Sequence, residues 1–184
     1  MRALTEQQID VLFDNPHRTW DIAYGEDQKQ HEDGEEEDEE SIQTLLVEPL
    51  REECWLDKSW AILRFLMLKA AGQPDRGDRE DYSSELLFGL PIGTPADYCG
   101  PLLREVDETQ AFADFLRPLT SDQLLSHFDW AEMRKADVYL VWNENADEGE
   151  QLDLREYAGD HFLGLRQYVL DAAASGCGLL IWVS

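Results

Sequence analysis

Between positions 56 and 70 the apolar residues Leu56, Trp60, Leu63, Met67 and Ala70 advance by steps of four, three, four and three. Ile62, Phe65 and Leu66 cover much of the remaining circumference, and Arg64 and Lys69 are the charged interruptions. A helix that is apolar nearly all round must be enclosed on several sides. The spacing therefore predicts a buried central helix, with Asp57 as its cap. The stretch is too short and too interrupted to span a bilayer.

A core of that kind needs apolar material elsewhere, and the chain has it. Of its 184 residues, 43% are apolar and 10% aromatic, enough to bury one domain-sized core. The surface is another matter. Forty Asp and Glu stand against 15 Lys and Arg, a formal charge of −25. The densest run, residues 26–40, carries a net −9, so −16 belongs to the rest of the chain. A field of this sign repels nucleic acid and anionic lipid and attracts basic proteins and cations. Cys54, Cys99 and Cys177 are odd in number and far apart, which fits reduced thiols in a cytoplasmic setting better than a disulfide scaffold. The opening residues lack the apolar stretch of a signal peptide.

Along the chain, Thr5 and Gln8 have the spacing of a capping box ahead of Ile9, Leu12 and Phe13, predicting a helix over about 5–14. Residues 25–40 read as a mobile acidic loop. Ile42, Leu45, Leu46 and Leu50 resume helical spacing, interrupted by Pro49. Strands are expected at 85–90, 102–106 and 138–142, the last from its β-branched and aromatic content. Further helix starts are expected at Asp107 with Gln110, Thr120 with Gln123, and Asp129. A long helix should carry Leu154, Ala158, His161, Leu165, Tyr168 and Ala172 on one stripe and end at Gly176. The apolar run 178–183 then reads as a strand covered on both faces. The expected fold is α+β: a single helix-rich domain over 1–184 with a small mixed sheet, closed by a long helix and a terminal strand.

Several of these segments carry a family resemblance. Leu56-Asp57-Lys58-Ser59-Trp60 running to Gly72, Gly89-Leu90-Pro91-Ile92-Gly93, Tyr98-Cys99-Gly100-Pro101, the segment 138–142, and Ala172 to Gly176 before the last strand follow one another in order. That succession resembles the YfbM-like proteins, a bacterial family built on domain of unknown function 1877. The likeness covers roughly 55–184. Arg64 stands where family members often place histidine, and Leu140 where proline is common. The resemblance implies a fold and a bacterial origin and supplies no activity.

The candidate chemistry is sparse. His161 on the apolar stripe could act as a general base in a site near Trp60 and Arg64, but a buried histidine in a hydrogen-bonded setting is the plainer reading. His127 near a helix end suits the helix dipole. Cys99 lacks the neighbouring cations that would activate a thiol. No zinc spacing, calcium loop or phosphate loop occurs, so neither metal nor cofactor is expected. What stands out is Trp142 leading into Glu144, Asp147, Glu148 and Glu150, since an aromatic anchor among carboxylates is a common interface design. The chain is therefore expected to be a noncatalytic acidic protein that binds a basic protein, in the manner of an inhibitor or immunity protein. The rivals are a small hydrolase or transferase using Arg64 and His161, or acidity that serves only solubility.

Overall fold

The computed structural model describes residues 1–19, 52–72, 89–93 and 101–182. The expected acidic loop at 25–40, the helix from Ser41, strand positions 85–88 and Cys99 lie outside the described residues. The chain divides into two compact units. One comprises Met1–Glu53, Phe88–Gln110 and Ala172–Ser184, and the other Cys54–Leu87 and Ala111–Asp171.

Among the described residues the first unit holds four strands, β1 (Arg2–Leu4), β2 (Leu90–Pro91), β3 (Leu102–Arg104) and β4 (Gly178–Ile181), in the order β1-β4-β3-β2. Each pairing among these four is antiparallel, where a mixed sheet was expected. Strand direction depends on how the chain returns to the sheet, which no local pattern encodes. Arg2, Leu180 and Leu103 stand opposite one another, as do Ala3, Leu179 and Arg104. Because side chains alternate across a strand, Leu4, Leu103, Leu180 and Trp182 share a face. That face packs with Ile92 against Ile9 and Leu12 of helix α1 (Glu6–Asp14). The expected capping box starts α1: the Gln8 amide donates to Thr5 Oγ1 at 3.2 Å, and the Thr5 amide donates to Gln8 Oε1 at 2.9 Å. Leu179 and Ile181, on the opposite face, are buried too, so β4 is enclosed on both sides as its sequence predicts.

In the second unit α2 (Trp60–Ala70) buries Ile62, Leu63, Phe65, Leu66, Met67 and Leu68, the all-round burial its circumference requires. Asp57 does not cap it. Asp57 opens a 3-10 turn, Asp57–Ser59, with φ at 46°, a left-handed backbone that aspartate tolerates better than most residues. Helix α3 (Val106–Leu116) begins earlier than expected. The reciprocating acid is Glu108, whose Oε2 accepts from the Glu105 amide at 3.0 Å, not Gln110. Helices α4 (Ser121–Leu125) and α5 (Trp130–Lys135) are capped by Thr120 and Asp129, as their spacing predicts. Helix α4 packs on α2. The Arg166 guanidinium from α6 (Glu148–Ala174) donates to the Leu116 and Arg117 carbonyls at 3.0 and 2.6 Å, satisfying the open end of α3. Helix α6 buries Ala158, Leu165, Tyr168 and Ala172 of the expected stripe, with Phe162 and Val169 beside them, while Leu154 and His161 are half-buried. It ends at Gly176 (φ 65°), where the Cys177 amide reaches Ala172 O and the Gly176 amide reaches Ala173 O, both at 3.0 Å.

Residues 138–142 are not a strand. The Val141 amide donates to Val138 O at 3.0 Å, closing a turn, with Asp137 at φ 54° and Leu140 at φ 76°. Left-handed backbone at either residue is incompatible with a ladder, whatever the β propensity of the side chains.

Candidate functional site

The turn at 138–142 and the start of α6 form the segment in which Trp142 was expected to anchor a partner. Val138 and Val141 are buried, and the turn between and after them sends Tyr139 and Trp142 outward. Trp142 is 71% exposed and Tyr139 43% exposed. Their ring centroids lie 6.0 Å apart at 79°, an edge-to-face pair. Leu140 is the strained member. A bulky side chain at positive φ costs on the order of 1–2 kcal/mol, and here it is held by a turn whose flanking valines are fixed in the core.

The carboxylates of this segment have specific local work. Asp147 caps α6: its Oδ1 accepts from the Glu150 amide at 2.9 Å, while Glu150 Oε2 accepts from the Asp147 amide at 3.1 Å. Asn143 Nδ2 donates to the same Glu150 oxygen at 3.1 Å, tying the residue after Trp142 to the first turn of α6. Glu144 pairs with Arg134 at 2.6 Å. Glu148 is exposed in that first turn. Asp147 and Glu150 were expected as partner ligands and are found as a capping box. The Asp-x-x-Glu spacing that signals it lies inside an acid-rich stretch. Hydrogen bonding to amides leaves their charge in place, so four negative residues still stand within 143–150.

The catalytic candidates fall elsewhere. His161 is half-buried, and its ring meets Tyr157 at 4.5 Å and 68°. Tyr157 Oη donates to Asp57 Oδ2 at 2.9 Å, joining α6 to the turn ahead of α2. Partial burial and the Asp57 carboxylate push the Tyr157 pKa up, with the Lys58 and Ser59 backbone acting the other way. A phenol held protonated is a hydrogen-bond donor and a poor base, so this string positions helices better than it moves protons. Sequence reading missed Asp57 and Tyr157 because a hundred residues separate them. Arg64 is half-buried in the second turn of α2. Burial pushes the Cys54 thiol up, away from reactivity, and Cys177 is fully packed. Among the described residues no group of three or more His, Cys, Asp or Glu could hold a metal ion. No described helix is long and apolar enough to cross a membrane.

Searches of the curated proteins and of the solved structures found no match. A family model, domain of unknown function DUF1877, matches residues 1–182. The match takes in the N-terminal third, where the sequence alone carries little likeness. β1 and α1 in that third supply one edge of the sheet and part of its core. The chain belongs to the DUF1877 family over residues 1–182.

Proposed function

We propose that this chain is a noncatalytic acidic protein of the cytoplasm that binds a basic protein partner, as an inhibitor or immunity protein would. The observation that supports this reading is the Tyr139–Trp142 pair. Monomer surfaces leave single apolar residues in water, but an indole 71% exposed beside a second exposed ring has the makings of an interface anchor. Around it, residues 143–150 contribute four acids and no base, within a chain of net −25. Such a field accelerates encounter with a cation-rich surface, and the aromatic pair then holds the complex.

Capture from native lysate, eluted along a salt gradient, tests the reading when the intact protein and Trp142→Ala are run side by side. The expected result is a basic protein released at moderate salt by the intact protein and absent from the variant. Identical captures of a basic protein by the two baits would remove Trp142 from the reading, and capture of none by the intact protein would leave acidity as a solubility feature. Trp142→Ala forfeits chiefly the edge-to-face contact with Tyr139, about 0.5–1.5 kcal/mol, so an unchanged thermal unfolding profile would show that loss of capture does not report unfolding. A hydrolase or transferase working through Arg64 and His161 is the rival. What favours it is that His161 is only half-buried on a helix stripe otherwise given to packing.

A further inference from the structure

Resting on the basic-partner reading, we propose that the partner engages this surface with arginine: a guanidinium stacked on the open face of Trp142 within the acidic field of residues 143–150. The edge-to-face arrangement with Tyr139 covers at most one face of the indole, and 71% exposure leaves the other to solvent. The Asn143–Glu150 bond places Trp142 one residue from a side chain fixed to the turn that bears Glu148. An exposed flat aromatic face that leads into an acid-rich segment suits a planar, weakly hydrated cation that stacks while its N–H groups face carboxylates. An ammonium is a strongly hydrated point charge whose contact with a ring is weaker, and it gains mainly from the field. Elsewhere in this segment an arginine already meets a carboxylate through a single contact, Arg134 Nη2 lying 2.6 Å from Glu144 Oε1. Glu148 extends the same acidic rim outward and is exposed.

Two synthetic peptides of equal length and charge, one of arginine and one of lysine, test the assignment on the intact protein at fixed ionic strength. The readouts are the dissociation constant and the Trp142 indole N–H resonance, identified by its loss in Trp142→Phe. The arginine peptide should bind about fivefold more tightly than the lysine peptide and shift that resonance. The preference should vanish in Trp142→Ala. Equal affinities for the two peptides, or a preference that survives Trp142→Ala, would overturn the arginine assignment while leaving the basic-partner reading standing. Failure of both peptides to bind at low salt would overturn the two together.

Discussion

A Cβ added at Gly178 would stand 2.4 Å from the Arg104 carbonyl oxygen and 2.5 Å from Ile9 Cδ1. Backbone on one side and a core side chain on the other leave a methyl group nowhere to go. Gly178→Ala should cost about 1–3 kcal/mol in chemical denaturation, the usual range for overpacking. Nothing local announces this, because Gly178 reads as an unremarkable start to an apolar run. Its constraint comes from β3 and α1, far away in sequence. The same separation hid Tyr157 and Asp57. Since the phenol pKa is raised in the folded state, the unfolded chain loses its proton first as pH climbs past about 10. The stabilisation is whole below that pH and declines above it. Tyr157→Phe should therefore lower the unfolding midpoint at pH 8, by about 0.5–1 kcal/mol for a partly exposed bond, and the gap to the intact protein should narrow above pH 10. A gap that widened with pH would contradict the assignment of the proton.

Three of the helix starts were legible because their determinants are adjacent residues, whereas those of α2, α3 and α6 differ from what their sequence suggests. Thr5 with Gln8, Thr120 with Gln123, and Asp129 all cap as their spacing predicts. The C-terminal signal at Gly176 held for the same reason. Strands were legible only where burial is two-sided. β4 shows in its unbroken apolar run, whereas β1 is three residues whose identity lies in pairing with β4 at the other end of the chain. The 138–142 segment has strand composition, yet Asp137 and Leu140 take left-handed backbone and make a turn of it. The start of α6 was the costliest misreading. Acidity at 143–150 masked the Asp147–Glu150 box, whose carboxylates also complement the positive end of the helix dipole. Asp147→Ala should cost about 1 kcal/mol by denaturant titration, with Asp147→Asn recovering most of it. A neutral Asp147→Ala would return that carboxylate to the partner face.

Across the molecule, charge of one sign outruns every pairing that could compensate it. The ion pairs Lys69–Glu132, Arg117–Asp114 and Arg134–Glu144 lie at the surface, where each contributes about 0–1 kcal/mol. Self-repulsion therefore opposes compactness, and moving from low to physiological ionic strength should raise the thermal unfolding midpoint. The α+β class was readable from composition and periodicity, since a buried all-apolar helix and a two-sided strand need no long-range information to recognise. The exposed aromatic pair was readable at Trp142 and not at Tyr139, whose exposure depends on the turn. The measurement that bears most directly on the account is the dissociation constant of the captured basic partner, taken across ionic strength for the intact protein and Trp142→Ala. The account predicts affinity that weakens steadily with salt and is at least about tenfold poorer in the variant at every salt concentration. Affinity indifferent to salt, or equal in the two proteins, would contradict it.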